Sequence, residues 1–141
     1  MKLFLLAFIV IIFLVIALFH FYWANGGKYG FDKVLPTSSV GEKIMQPSNG
    51  MTIMVGVIFL MMIGFLILRY QQNSLFFPNW LFENGIEILA AIFLLRAIGD
   101  FKYAGFFKSI KGTPFAKNDS LYFSPLCLLI SILLIGFERY S

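Results

Sequence analysis

One apolar run of this chain, near residues 80–100, carries four charged side chains: Glu83, Glu87, Arg96 and Asp100. Each pair, Glu83 with Glu87 and Arg96 with Asp100, has i,i+4 spacing, which places both members on one face of a helix. If the run lies in lipid, each buried charge costs at least about 2.5 kcal/mol on insertion scales. Such residues are therefore paired, turned toward a polar interior, or functional.

The two glutamates sit at different depths along the helix. Glu83 lies within one turn of Trp80, so we expect it to reach interfacial water or Arg69 across a helical hairpin. Glu87 lies roughly 10 Å beyond Trp80 at a rise of about 1.5 Å per residue. We expect Glu87 to be either protonated, because burial disfavours its charge, or paired inside the bundle. The alternative is a working proton carrier or acid–base group.

Arg96 and Asp100 have the geometry of an intrahelical ion pair. We predict that they pair with each other, Arg96 extending toward the nearer membrane surface while Asp100 neutralises it. The alternative is that Arg96 binds an anion or orients a substrate.

The only histidine, His20, stands in the stretch "LFHFYWANGG" where the first apolar run meets a loop. Trp23 follows one turn later on the same helix face. His20 is either an interfacial residue or part of a polar pocket, since histidine changes charge near neutral pH and can move protons. For the pocket, we expect its ring to face the bundle interior, within hydrogen-bond reach of the third helix or of residues 112–119.

Four further residues would share that end of the bundle with His20. Arg96 and Asp100 end the third run, and Asp119 and Tyr122 open the fourth, where we expect Asp119 to cap the helix N-terminus. The candidate polar pocket is therefore His20, Trp23, Arg96, Asp100, Asp119 and Tyr122. A single histidine is a poor basis for a metal or haem site, so we predict no metal and no cofactor.

The overall composition points to lipid as the solvent. Hydrophobic residues make up 60% of the 141 positions and charged residues 13%, against about 25% charged in soluble domains. The apolar residues form four runs near the length of a membrane span, about residues 3–23, 51–69, 80–100 and 121–138. We predict an all-α fold, a single integral membrane bundle of four transmembrane helices over residues 1–141.

The connections set the expected topology. Residues 71–79 are a short link, so the second and third helices should form a tight antiparallel hairpin, whereas residues 25–50 and 101–120 are long loops. The long-loop side has seven lysines, and the other side has only Lys2, Arg69 and Arg139. The positive-inside rule then places the long loops in the cytoplasm of a multi-pass cell-membrane protein. The first run is longer than a signal-peptide core, so we expect it to be retained.

Several short motifs together resemble one known family. They are "HFYWANGG" at 20–27, "LP" at 35–36, "LRAIGDF" at 95–101, "GTPFAKND" at 112–119 and "YFSPLCL" at 122–128. The chain resembles the family catalogued as domain of unknown function 3995, whose members are small bacterial membrane proteins with four predicted helices. The resemblance implies no activity. It places the shared motifs at the long-loop ends of the first, third and fourth helices, and Glu83 and Glu87 fall outside it.

Three classes of function stay open. The first in rank is a structural or partner-binding membrane protein whose charges hold helices together. The second is an intramembrane binding protein or enzyme for a lipid-like or quinone-like molecule, with Arg96 on an anionic head group and His20 with Asp100 moving protons. The third is a small proton-coupled transporter using Glu87 and Arg96. The expected partners are membrane lipids and, in the second class, a small apolar ligand. The net charge of +4 fits loops on an anionic leaflet, not nucleic acid.

Overall fold

The computed structural model describes residues 1–140, and these form an all-helical fold, as predicted. Four long helices carry it: α1 (Lys2–Ala24), α3 (Asn49–Tyr70), α4 (Asn79–Ile98) and α6 (Ser124–Arg139). Two short helices lie in the long loops, α2 (Phe31–Val34) and α5 (Pro114–Asn118), and a π-helical segment, Asp119–Phe123, joins α5 to α6. Within residues 1–140 the only β pairing is an isolated bridge between Thr37 and Lys43.

Three helical stretches are long and apolar enough to cross a membrane: Lys2–Ala24, Asn49–Tyr70 and Pro114–Arg139. They make the chain a membrane protein with transmembrane helices. Large apolar side chains such as Leu18, Met61, Leu95 and Ile132 are exposed on the outside of the bundle, as lipid-facing residues are. α4 has a similar length, but it carries three charged side chains, those of Glu83, Glu87 and Arg96. Three helices, not four, therefore have the composition of a membrane span.

The helix boundaries follow capping side chains. The Ser48 hydroxyl accepts a hydrogen bond from the Met51 amide at 3.2 Å at the start of α3. The Thr113 hydroxyl accepts from the Ala116 amide at 3.1 Å at the start of α5. Helical structure before α6 therefore begins at Pro114 rather than near residue 121, and the prediction that Asp119 caps this helix is wrong.

The helices pack most closely as two pairs, α1 with α3 and α4 with α6. Gly56 of α3 lets the Phe21 ring of α1 approach, because a Cβ at residue 56 would lie 2.9 Å from that ring. In the second pair, the buried Ser131 hydroxyl donates to the Ala90 carbonyl at 2.8 Å. The expected tight packing of α3 on α4 across their short link is therefore wrong, since these two helices meet mainly through large side chains.

At the end of the bundle that carries the termini, Arg69 of α3 pairs with Glu138 of α6. Their side chains are 13% and 18% exposed, so the pair is largely shielded. Glu83 is exposed and makes no ion pair within the described chain. Of the two environments expected for Glu83, the contact with Arg69 is wrong: the Arg69 guanidinium pairs with Glu138 and lies over the Phe82 ring of α4 at 5.1 Å, and Glu83 stays at the exposed surface.

Candidate ligand-binding cavity

A cavity of about 640 Å³ opens between the two helix pairs at the long-loop end of the bundle. Its volume is in the range of small-molecule sites, about 300–1,000 Å³. All four long helices contribute to its walls, and α2 and α5 lie over it. The wall is mostly apolar and aromatic, and it includes Trp23, Phe31, Phe59, Phe93, Phe115 and Phe123.

Two of the phenylalanine rings that line the cavity, Phe59 and Phe93, pack against Phe13 in the core. Phe13, fully buried on α1, lies 5.3 Å from the Phe59 ring and 5.5 Å from the Phe93 ring, measured between centroids. Phe59 belongs to α3 and Phe93 to α4, so the three rings join both helix pairs. Edge-to-face and offset arrangements of this kind stabilise aromatic clusters.

His20 lines the cavity from α1, and its ring contacts two other aromatic rings. The centroids of Trp23 and Phe59 lie 5.3 and 6.1 Å away. The His20 Nδ1 atom donates to the Ile16 carbonyl at 2.7 Å. The expected hydrogen bond from His20 to α4 or to residues 112–119 is absent from residues 1–140: Nδ1 bonds within its own helix, and Nε2 has no partner there.

Arg96 lines the same cavity from α4. It donates one hydrogen bond, from Nη2 to Asp119 Oδ1 at 2.8 Å, and its side chain keeps 37% of its surface exposed. Its Nη1 atom is buried and has no partner within residues 1–140. The predicted Arg96–Asp100 ion pair is therefore wrong: the partner of Arg96 comes from the segment that precedes α6.

Asp119 is fully buried behind Arg96 and accepts four hydrogen bonds. Besides the bond from Arg96, its Oδ2 atom accepts from the Gly105 amide at 2.7 Å, Lys108 Nζ at 3.0 Å and the Ser124 hydroxyl at 3.1 Å. Lys108 is also buried, with 2% of its surface exposed. These contacts tie the loop after α4 to the start of α6. Two cations surround one carboxylate, so the network carries an excess positive charge.

The π-helical segment Asp119–Phe123 places the side chains at this corner. Pro125 has no amide hydrogen, and in a straight α-helix its ring would clash with the Leu121 carbonyl. A wider π turn just before the proline accommodates it, and such segments are frequent at functional sites. The segment directs Asp119 inward, and Phe123 lines the cavity, while Tyr122 is 63% exposed and lies outside it.

Asp100 holds a tight turn after α4 instead of contacting Arg96. Its Oδ1 atom accepts from the amides of Lys102, Tyr103 and Ala104 at 2.7–3.0 Å. Gly99 precedes it with φ +92°, and a Cβ there would lie 1.8 Å from the Ala104 carbonyl oxygen, so only glycine fits. Burial raises the pKa of Asp100, but the amide donors lower it by more, so its pKa lies below the ordinary value of 3.8.

We expect Asp100→Ala to lower the free energy of unfolding by about 1–2 kcal/mol, because three amides lose their acceptor. Asp100→Asn keeps an acceptor oxygen and should cost less. Since folding lowers this pKa, the stabilisation is present above about pH 3.8 and is lost as the pH falls through the lower folded value. Thermal melting in detergent from neutral to acidic pH measures both effects. Equal melting temperatures for wild type and Asp100→Ala would contradict the role of this turn.

The structure thus places His20, Trp23 and Arg96 on one cavity, with Asp119 directly behind Arg96. Glu87 is exposed on the outer face of α4 and has no hydrogen bond or ion pair with any residue in 1–140, so it does not share a site with Arg96. Sequence reasoning missed the part played by Lys108, because a loop lysine carries no periodic signal of burial. It also missed the aromatic wall, since phenylalanine is frequent throughout the apolar helices.

Within residues 1–140, no three His, Cys, Asp or Glu side chains come together in a group that could hold a metal ion. No curated protein and no solved structure matches the chain. A family model described as "Protein of unknown function (DUF3995)" matches residues 13–134. That match includes His20, Arg96, Asp119 and the rest of the cavity wall, and it agrees with the resemblance carried by the short motifs. The chain belongs to the DUF3995 family.

Proposed function

We propose that this protein binds a small, mainly apolar molecule with an electron-rich head group in the cavity between its two helix pairs. The observation that carries the proposal is that Arg96 has unused hydrogen-bond donors. Arg96 lines a mostly apolar and aromatic cavity, yet it makes a single hydrogen bond and leaves the buried Nη1 without a partner. Buried polar groups are nearly always hydrogen-bonded, so this unsatisfied donor calls for an acceptor.

A purely structural role accounts less well for this arrangement. Lys108, Gly105 and Ser124 already give Asp119 three donors, one of them a cation, without Arg96. An arginine that only held the helices together would be expected to use more of its five N–H groups. The excess positive charge in an apolar setting favours a ligand that brings an oxygen with high electron density.

The proposal takes α4 as the fourth membrane span of a multi-pass protein in the cell membrane. Its 20 residues cover about 30 Å, the thickness of the hydrocarbon core. Arg96 lies in its last turn beside the cavity, and Glu83 lies in its first turns beside Trp80. We retain the cytoplasmic assignment of the long loops, although the buried Lys108 no longer counts as a surface charge for that rule.

Access from the lipid phase fits the rim of the cavity. Among its lining residues Val15, Phe19, Met51 and Met54 are exposed, and all four are apolar. Methionine side chains are flexible and adapt to varied apolar shapes. We therefore expect a ligand that partitions into the bilayer and slides between the helices with its apolar part last.

The single cysteine offers a direct test, because Cys127 of α6 lines the cavity. We expect N-ethylmaleimide to alkylate Cys127 slowly in protein purified in mild detergent, and faster after exhaustive delipidation. Mass spectrometry of the extract should identify the released molecule, in smaller amount from the Arg96→Lys variant. Arg96→Lys keeps a cation beside Asp119 but loses the forked donors.

The matched control moves the thiol from the cavity to the lipid-facing surface. In a Cys127→Ser, Leu129→Cys variant, the new thiol lies two residues away at a position that is 41% exposed. Its alkylation rate should not change on delipidation. Equal rates for Cys127 before and after delipidation, together with no stoichiometric molecule in the extract, would contradict the proposed function.

A further inference from the structure

Resting on the proposed function, we infer that the head group bound in the cavity is a planar ring bearing a hydroxyl group. Arg96 donates to the hydroxyl oxygen, and His20 accepts the hydroxyl proton. Three features of the cavity support it: the spare donors of Arg96, the tautomer of His20, and the aromatic wall around them.

The hydrogen bond to Ile16 fixes which nitrogen of His20 can accept. A carbonyl oxygen can only accept, so Nδ1 carries the proton in the 2.7 Å contact with Ile16. In the neutral ring this leaves Nε2 with a free lone pair. Nε2 has no hydrogen-bond partner within residues 1–140. His20 therefore offers the cavity an acceptor, whereas Arg96 offers donors.

The two groups line the same cavity. The Phe59 ring, which also lines the cavity, lies 6.1 Å from the His20 ring and 6.3 Å from the ring of Phe93, one turn before Arg96 on α4. His20 on α1 and Arg96 on α4 therefore line one cavity from different helices, together with the same aromatic rings. A single polar group there can contact both only if it accepts on one side and donates on the other.

A hydroxyl group meets this requirement, whereas three other oxygen-containing groups do not. A ketone or an ether has no proton to donate to His20 Nε2. A carboxylate has none either, and its negative charge is repelled by the Nε2 lone pair. The surrounding rings of Trp23, Phe59, Phe93 and Phe123 favour a flat aromatic or quinol-like body that stacks against them. The excess positive charge of the Arg96–Asp119–Lys108 network favours a phenolic oxygen over that of an alcohol, because it carries more negative charge as its proton is shared.

Four probes with the same alkyl tail separate these possibilities: para-octylphenol, para-octylanisole, octylbenzene and para-octylbenzoate. Each is titrated into delipidated protein in nanodiscs, and protection of Cys127 from N-ethylmaleimide gives an apparent affinity per mole fraction in the bilayer. We expect the phenol to bind about five- to tenfold more tightly than its methyl ether, the effect of one hydrogen bond. The anisole should in turn bind more tightly than octylbenzene.

Two variants assign the two hydrogen bonds. His20→Phe keeps a ring but removes the acceptor, so the difference between phenol and anisole should disappear. Arg96→Lys should weaken the phenol and the anisole together relative to octylbenzene. Ile132→Ala is the control: Ile132 of α6 is 58% exposed on the outside of the bundle and does not line the cavity, so all four affinities should stay unchanged.

The results that overturn the inference differ from those that overturn the proposed function. Equal protection by phenol, anisole and octylbenzene would refute a hydroxyl site while leaving an apolar binding cavity in place. Tightest binding of the benzoate, unaffected by His20→Phe, would replace the inference with an anion site built on Arg96 alone. Protection of Cys127 by none of the four probes would overturn the inference and the proposed function together.

Discussion

Asp119→Leu should lower the free energy of unfolding by about 3–5 kcal/mol, the cost of removing one partner from a buried ion pair. The carboxylate is fully buried and accepts from Arg96, Gly105, Lys108 and Ser124. Without it, the Lys108 ammonium stays buried with no counter-charge, and the Gly105 amide loses its acceptor. Thermal melting of the purified protein in detergent measures the loss.

A double-mutant cycle shows whether the cost comes from the stranded lysine. Lys108→Met removes the buried cation, so the variant that combines it with Asp119→Leu should lose less stability than the sum of the two single changes. Asp32→Asn is the control for an ordinary ion pair. Asp32 pairs with Lys43 at 2.7 Å, but its side chain is 77% exposed, so we expect no measurable change in melting temperature. Strictly additive losses in the cycle would show that Lys108 and Asp119 are not coupled.

The sequence predicts the helices of this protein well, because the bilayer imposes a simple length rule on apolar segments. α1, α3 and α4 begin and end within about two residues of the predicted bounds. The fourth helical run starts seven residues early, at Pro114. Here Thr113 and Pro114 are an ordinary cap followed by a first-turn proline, a signal visible in the sequence. The stretch after residue 121 is more apolar, and a prediction from hydropathy therefore starts the helix there.

The partners of the charged residues could not be predicted in the same way. An i,i+4 spacing made Asp100 the nearest partner for Arg96 along the chain, but α4 ends at Ile98 and Gly99 turns the backbone away. Asp119 reaches Arg96 only because a π turn changes its direction, and Lys108 reaches Asp119 only through the fold of the loop. Spacing along one helix says nothing about which loop residue folds back onto it. In contrast, helix length alone is enough to predict that His20 and Arg96 lie at the same end of the bundle.

Phe13→Ala should remove the ring that supports Phe59 and Phe93 from the core side and so enlarge the cavity, at a cost of about 2 kcal/mol in the free energy of unfolding. In water-soluble cores such a change costs about 3–5 kcal/mol, of which part is transfer of the ring from water. Inside a bilayer that part is largely lost, because lipid tails are as apolar as the protein interior. The lost packing remains: about 100 Å³ of opened volume at about 24 cal/mol per Å³ gives the expected figure.

The enlarged cavity should also change the response to ligand, which separates a residue that supports the cavity wall from an ordinary core residue. Octylbenzene should raise the melting temperature of Phe13→Ala more than that of the wild type, because its ring or tail can occupy the space left between Phe59 and Phe93. Phe4→Ala is the matched control on the same helix: Phe4 is 79% exposed, so its loss should change neither stability nor ligand response. If Phe13→Ala and Phe4→Ala melt alike with and without octylbenzene, then Phe13 does not support the cavity wall. The two helix pairs would in that case be held apart at this level by something other than the aromatic cluster.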